Sequence, residues 1–334
     1  ADAVYAGNAF WKHVANNYGE TVIPNVLYMT KVTHNVDNST TYVLGLSMRS
    51  LWDECLQTYA QRYAENDTTR KMPAAQQSVL KKTKSTRVYS QMKISNDGNY
   101  IVYTTNEMGQ YKVWLHNVNT KKRKRIYKAE HKIDRINDYS YPIVAWHPDN
   151  KHFSFIIEHK GILVMKTYDI ETQTFQQRNI TGFEKILDFS YNDDGKKFVM
   201  SAVQKGQTDI YIFTAASNAY YQVTKDIYDD LQPRFVNNSG RIAFVSNRPS
   251  DSLSFDTKKT LPERQTNTDI FLFNNITRSP ALIRVTNTPI INEKIPSDLD
   301  QSHITYLSDA NGVTNRYVAH IDSTLAFVDT AMHY

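Results

Sequence analysis

Several residue types are scarce in this chain of 334 residues, and each scarcity excludes a class of protein. The single cysteine, Cys55, excludes an internal disulfide framework and a metal site built from several cysteines. Since Cys55 falls on the apolar side of a predicted helix, we expect it to be buried. Only 11 glycines are present, and neither a phosphate-binding glycine loop nor a dinucleotide-binding fingerprint occurs. No run of about 18 apolar residues exists, so we predict no transmembrane segment.

The motifs of two hydrolase classes are missing as well. A gluzincin zinc peptidase needs His-Glu-x-x-His on a helix, and the sequence does not contain it. His147, which precedes a proline in a predicted turn, is interpreted as structural or exposed rather than as a ligand. The nearest string to the serine-hydrolase elbow, Gly45–Arg49, lacks the second glycine, and Ser47 is better explained as a helix cap. We therefore predict no catalytic residue, no metal site and no cofactor.

The residues that are present indicate a globular, β-rich protein. Hydrophobic residues make up 40% and charged residues 22%, and the 22 tyrosines suit strands joined by polar turns. The net charge of +5 is compatible with polyanion binding but does not argue for it. The basic run Lys121–Arg125 is interpreted as a solvated hairpin, and binding of nucleic acid or an anionic surface is the weaker alternative. No nucleic-acid partner is expected.

Residues 1–65 have helical periodicity and are predicted to form three helices, a small α-helical segment. The short run 40–46 between the second and third helices is predicted to be extended. The third helix is expected to bury a stripe that includes Leu51, Cys55, Leu56 and Tyr63. Apolar periodicity is lost in residues 66–86, which we interpret as a linker. The chain starts inside a helical pattern without a signal peptide, from which we expect a truncated or mature product.

A repeat occupies residues 87–334, and its cleanest copy is Ile186–Phe213. This copy reads as strand, tight turn, strand, looser turn and strand, with the tight turn at Asp193–Gly195. The tight turn recurs at Gly98, Asn150, Gly195, Gly240 and Gln301, at intervals of 52, 45, 45 and 61 residues. Four strands in roughly 45 residues is the period of a propeller blade. We predict a mainly β fold, a β-propeller of about five or more four-stranded blades; a β-sandwich is the alternative.

The repeats resemble the WD-like repeats of TolB-like propellers, which also occur in prolyl-oligopeptidase-type peptidases. The resemblance rests on the turns NDG, NDDG and NNSG, on Ser246–Arg248, and on the strand starts Asp209–Tyr211 and Asp269–Phe271. It covers about 245 residues. It implies the fold, whereas function differs widely among proteins that share this fold.

The N-terminal segment resembles another family. Residues 10–29 and 45–63 look like the closing helices of a gluzincin metallopeptidase-like domain. This resemblance implies that the chain is the tail of a peptidase-like domain fused to a propeller, with the zinc-binding part upstream.

The predicted partner-binding residues lie in and beside an insertion, residues 250–267, which lengthens a hairpin without adding apolar pattern. A disordered excursion is the alternative interpretation. The candidates are Arg248, Leu253, Phe255 and Leu261.

Two functions compete on these observations, with a nucleic-acid or membrane-surface scaffold as a weaker third. The first is a non-catalytic module for protein or glycan interaction in a bacterial cell envelope. The resemblance to TolB implies the periplasm or cell surface and a partner similar to peptidoglycan-associated lipoprotein. The second is a C-terminal fragment of a propeller-bearing metallopeptidase whose zinc-binding part lies upstream.

Overall fold

The computed structural model describes residues 2–69, 79–80, 82–129, 131–133, 138–253, 266–322, 327–328 and 332–333. The chain divides into two compact units, residues 1–81 and 82–334. This division falls inside the predicted linker 66–86, whose exact bounds stay a prediction.

The first unit contains four helices rather than three. They are α1 (Asp2–Tyr18), α2 (Val22–Thr33), α3 (Val36–Leu44) and α4 (Met48–Thr69). The prediction of an extended run at 40–46 was wrong, because most of that run belongs to α3. The Asn35 side chain accepts hydrogen bonds from the N–H groups of Asp37 and Asn38, and Gly45 ends the helix at a φ of 72°. These two caps stabilise a short helix whose buried residues, Ser39 and Thr40, are polar.

The core of the helical unit lies between α1 and α4. Phe10, Val14, Leu51 and Cys55 are buried there, which confirms the expected burial of the cysteine. Apolar contact among these four side chains supplies most of the stabilisation that such a small unit can have.

The predicted stripe of α4 was only partly right. Leu56 and Tyr63 are 61% and 60% exposed, so neither belongs to the core. Leu56 follows Cys55 directly and therefore points about 100° away from it around the helix. Ser47 does cap α4, because its Oγ accepts the Ser50 N–H at 3.1 Å.

The second unit is a five-bladed antiparallel β-propeller, as the repeat predicted, and in each blade neighbouring strands pair in chain order. Blade 1 is β1 (Val88–Ile94), β2 (Tyr100–Glu107), β3 (Gln110–Asn117) and β4 (Arg123–Ala129); blade 2 is β5 (Ile143–Trp146), β6 (His152–His159), β7 (Ile162–Asp169) and β8 (Phe175–Ile180). Blade 3 is β9 (Lys185–Tyr191), β10 (Lys197–Gln204), β11 (Gln207–Thr214) and β12 (Tyr220–Gln222); blade 4 is β13 (Asp230–Val236), β14 (Arg241–Ser246), β15 (Asp269–Asn274) and β16 (Leu282–Arg284).

Blade 5 has three strands among the described residues, namely β17 (Glu293–Asp298), β18 (His303–Ser308) and β19 (Asn315–His320). A two-stranded hairpin, β20 (Phe327–Val328) and β21 (Met332–His333), follows it. The five predicted tight turns are the connections between the first and second strands of the blades. The insertion 250–267 lies between β14 and β15.

The propeller core lies between blades. Phe153 and Phe155 of blade 2 are buried against Val102 and Val113 of blade 1, and further apolar clusters join blade 2 to blade 3 and blade 3 to blade 4. Since the central strands pack against neighbours on both faces, they include continuous apolar runs, as in Ile242–Val245. None of the described helices is long and apolar enough to cross a membrane.

Candidate functional site in the central channel

The first strand of each blade lies on the inside of the propeller. Strands β1 and β5, β5 and β9, β9 and β13, and β13 and β17 are neighbours in space. Together they line a channel of about 870 Å³, to which Arg316 of β19 also contributes. A cavity of this size falls in the range of ligand-binding pockets.

Four of these inner strands, β1, β9, β13 and β17, have a β-bulge or other register shift beside the channel, and three of the four contain a left-handed residue there. Gln91, Gln232 and Ile295 have φ angles of 52°, 51° and 51°, a left-handed conformation that is uncommon for residues other than glycine. A bulge interrupts the ladder and re-aims the local side chains and peptide groups. The Gln232 Oε1 accepts the Ile295 N–H at 2.7 Å, so a bulge of blade 4 links blade 4 to blade 5.

A charged group that we call the channel triad joins three blades. It consists of Lys93 on β1, Asp188 on β9 and Arg234 on β13. The Lys93 Nζ lies 3.2 Å from one oxygen of Asp188, and the Arg234 Nη2 lies 2.6 Å from the other. Each cation therefore reaches a different oxygen of a single carboxylate. The carboxylate therefore joins three inner strands that are far apart in sequence.

Burial in the channel wall changes the protonation of the triad. Burial favours the neutral amine and lowers the pKa of Lys93 to about 8; the Asp188 carboxylate opposes this change and the Arg234 guanidinium adds to it. Burial alone would raise the pKa of Asp188, but the charges of Arg234 and Lys93 outweigh it, so the pKa is lowered. Near neutral pH the triad therefore has two cations and one anion, with a readily lost proton on Lys93.

Apolar and hydrogen-bonding groups surround the triad. Met92 and Ile94 line the channel and are 53% and 59% exposed, which is high for large apolar side chains. Ser201 pairs with Asp188 across strands β10 and β9, and its hydroxyl has no hydrogen-bond partner among the described residues. The channel thus combines exposed apolar surface with charged side chains of both signs. Besides the triad it is lined by Arg316, Asp193 and Asp298, so the excess of one cation belongs to the triad and not to the whole channel.

Arg248, the first of the sequence-predicted partner residues, is fully buried. Its guanidinium lies 3.0 Å from Asp226 and 2.8 Å from Asp230, and it packs over the rings of Phe244 and Phe271. These described contacts are internal to the propeller. A role for Arg248 in partner binding stays a prediction, and it would have to act through the segment that Arg248 anchors.

The remaining predicted residues belong to the insertion. Leu253 is partly buried against the core between blades 3 and 4, and its N–H donates to the carbonyl oxygen of Pro280 at 2.8 Å. Phe255 and Leu261 lie outside the described residues. The base of the insertion is therefore attached to blade 4, and its partner contacts stay a prediction.

Sequence reasoning did not find the channel triad. A signal was present, because Lys93, Asp188 and Arg234 each interrupt the apolar pattern of a blade's first strand. The predicted tight turns had already marked these strands as the first strand of each blade. What the sequence did not show is that the three charges meet, since Lys93 and Asp188 are 95 positions apart.

Comparisons with known proteins show similarity of fold alone. No protein-family model matches the sequence, and no curated protein matches it. The TolB structure from Acinetobacter baumannii superposes with a TM-score of 0.47 and 16% identity, over 70% of this chain and 54% of TolB. The β-propeller domain of the Trilobed protease from Pyrococcus furiosus superposes with a TM-score of 0.45 and 9% identity, over 75% of this chain and 84% of that domain. An acylaminoacyl peptidase superposes with a TM-score of 0.44 and 13% identity, over 73% of this chain and 41% of the peptidase. The chain thus spans about half the length of TolB.

Proposed function

We propose that the propeller is a non-catalytic interaction module whose central channel receives an extended segment of a partner protein. A glycan chain is the alternative ligand class. The observation that carries the proposal is the channel of about 870 Å³, lined by the first strands of five blades and containing the channel triad. Exposed apolar side chains beside it add surface that a partner would bury.

The charge of the triad favours a partner segment that carries a carboxylate. Lys93 and Arg234 share a single anion, so a second carboxylate entering the channel would find two cations already in place. Both cations are partly accessible, with 25% and 17% of their side chains exposed. Met92 and Ile94 would contact the apolar part of such a segment.

The insertion 250–267 extends this site in the proposal. It follows β14, which is antiparallel to β13, so it leaves the blade at the end where β13 begins. The bulge at Gln232 lies near that same end of β13. Leu253, Phe255 and Leu261 would then contact the partner outside the channel, while Arg248 anchors the start of the segment.

The cellular setting is part of the proposal. The TolB-like architecture supports a periplasmic or cell-surface location in a bacterial envelope, and a partner similar to peptidoglycan-associated lipoprotein. The alternative, a C-terminal fragment of a metallopeptidase, has no specific support among the described residues. Finding His-Glu-x-x-His upstream of residue 1 in the parent sequence would revive that alternative.

A capture experiment with channel variants tests the function. Met92→Glu and Ile94→Glu add a carboxylate, which would repel a partner carboxylate, to exposed channel positions without removing a core side chain. Ile276→Glu is the matched control because Ile276 is 80% exposed in the turn between β15 and β16. Wild-type protein and the control should capture the same partner from envelope extract. Each channel variant should lower capture by about tenfold, the loss that corresponds to one disrupted contact of about 1.4 kcal/mol.

Equal capture by all four proteins would show that the partner does not use the channel. Loss of the partner after lysozyme digestion of the extract would identify a glycan ligand instead of a protein segment.

A further inference from the structure

Two histidines and an aspartate converge in the turn between β5 and β6, outside the channel triad. The His152 Nδ1 lies 2.6 Å from one oxygen of Asp149, and the His147 Nδ1 lies 3.0 Å from the other. One nitrogen from each imidazole and one carboxylate oxygen all lie within 4.8 Å of one another. The three side chains are between 26% and 33% exposed, so an ion from solvent can reach them.

The two rings are held in place by their surroundings. His147 packs edge-on against Tyr191 of blade 3, with ring centroids 5.1 Å apart. A Cβ atom on Gly195, in the corresponding turn of blade 3, would lie 2.1 Å from the His147 Nε2. The backbone of the turn is itself fixed, because the His147 N–H donates to the His152 carbonyl oxygen at 3.0 Å. The two Nδ1 atoms are therefore directed at Asp149 before any ligand arrives.

A second carboxylate lies on the far side of His152. The Asp169 Oδ2 is 3.6 Å from the His152 Nε2, whereas the His152 Nδ1 faces Asp149. Histidines that bind metals usually direct their other ring nitrogen to a carboxylate or carbonyl oxygen, which fixes the tautomer and raises the basicity of the ligating nitrogen. Asp169 is in position to do this for His152.

We propose that His147, Asp149 and His152 bind one divalent transition-metal ion of the zinc class. Imidazole nitrogen together with a carboxylate oxygen is a ligand set that suits Zn²⁺, Ni²⁺ and Cu²⁺ better than Ca²⁺ or Mg²⁺. Tetrahedral ligands about 2.1 Å from zinc are roughly 3.4 Å apart. The His152 Nδ1 and the Asp149 Oδ2, now 2.6 Å apart, would move apart by less than about 1 Å as the ion replaces the proton between them. Water would complete the coordination.

The competing explanation is that Asp149 only stabilises the backbone of the turn. Its Oδ1 accepts the N–H groups of Lys151 and His152 at 2.9 and 3.0 Å, which is ordinary turn chemistry. Blade 5 provides the comparison, since Asp300 accepts the His303 N–H at 2.9 Å and its carboxylate lies 2.9 Å from the His303 Nδ1. That turn repeats the aspartate and the second histidine, but Asp298 stands where blade 2 has His147. Only blade 2 offers two imidazoles to one carboxylate among the described turns of this kind.

Titration of the whole purified chain, free of affinity tag and stripped with a chelator, tests the site with Zn²⁺ as the probe. Calorimetry should show one saturable equivalent for wild type. His147→Asn and His152→Asn should each weaken binding by more than about 100-fold, and Asp169→Asn by about tenfold, the effect typical of a group behind a ligand. His303→Asn is the matched control and should bind as wild type does. Co²⁺ should give visible absorption bands that the first two variants lose.

Absence of a saturable equivalent in wild type would overturn the proposal, as would equal binding by wild type and His152→Asn. A loss in His303→Asn as large as that in His152→Asn would show that zinc binds scattered surface histidines. Thermal unfolding of each variant without metal checks the fold. If His147→Asn unfolds because the His147 ring supports blade 3, zinc binding by His152→Asn is the deciding measurement. The His152 side chain is 32% exposed, so its replacement should leave the fold intact.

Discussion

Two charged clusters in the propeller each pair an arginine with aspartate, but they differ in exposure and in the ratio of cations to carboxylates. The channel triad has two cations around Asp188, and its side chains are between 13% and 25% exposed. The second cluster, which we call the closed cluster, has Arg248 among the carboxylates of Asp226, Asp230 and Asp209, and its ion-paired side chains are at most 2% exposed. The triad therefore faces the channel, whereas the ion-paired side chains of the closed cluster are buried inside the propeller.

The balance of charges determines how the aspartates ionise. In the closed cluster one guanidinium serves several carboxylates, so burial and the Asp226 charge outweigh Arg248 and raise the pKa of Asp230 to about 6. In the triad two cations serve one carboxylate, and the pKa of Asp188 is lowered. Asp209, Asp226 and Asp230 lie close enough together to hold a metal ion, but Arg248 already forms ion pairs with Asp226 and Asp230. The difference teaches that the ratio of cations to carboxylates, and not burial alone, decides whether a buried aspartate is charged.

The largest expected effect comes from removing one arginine of each cluster. Arg248→Met leaves buried carboxylates without a cation and should lower the free energy of unfolding by about 3–5 kcal/mol. Arg234→Met should lower it by only about 1 kcal/mol, because Lys93 still pairs with Asp188 and water reaches the channel. Urea denaturation at pH 7 measures both. Equal losses would remove the distinction between the clusters.

The second effect is a pH dependence whose sign distinguishes the aspartates of the two clusters, since the pKa is raised in the closed cluster and lowered at Asp188. Burial raises the pKa of Asp209 from its ordinary 3.8 to about 6. The fold thus favours the neutral acid, so this contribution to stability is fully present below pH 3.8 and is lost as the pH rises through 6. Asp209→Asn stays neutral, so its unfolding free energy relative to wild type should rise by about 2 kcal/mol between pH 4 and pH 7.

Asp251→Asn is the control for this measurement, since its side chain is 57% exposed. Its unfolding free energy relative to wild type should change little over the same pH range. A flat difference for Asp209→Asn as well would mean that Asp209 is ionised throughout the folded protein.

The smallest expected effect is chemical and concerns the triad. With a pKa of about 8, Lys93 is half neutral at pH 8, whereas Lys151 has a raised pKa and is almost wholly charged. Brief acetylation at pH 8, followed by peptide mass spectrometry, should modify Lys93 about tenfold faster than Lys151 despite its lower exposure. Arg234→Met should slow the reaction of Lys93, because the neighbouring positive charge that lowers its pKa is gone. Equal rates for the two lysines in wild type would contradict the lowered pKa of Lys93.

Much of the fold was predictable because it depends on local chemistry. Turns such as Asp193–Gly195 need residues that tolerate a left-handed backbone, and alternating runs beside them form strands wherever they occur in the chain. The short helix α3 was missed because its ends are set by hydrogen bonds at Asn35 and Gly45 and its buried residues are the polar Ser39 and Thr40. The site was missed for a different reason, since charged residues such as Lys93 have no local signal for what they will contact.

The sequence by itself therefore determined the repeat, the number of tight turns, the four-strand pattern and the helical N-terminal segment. Only the tertiary structure decided which charges meet. The packing of the blades brings Asp188 into contact with Lys93 and Arg234. The folded chain also buries Arg248 beside Asp230 and places two histidines next to Asp149. The physical reason is range: turn and strand propensities act over a few residues, whereas the energy of an ion pair depends on distance and dielectric, which exist only once the blades have packed.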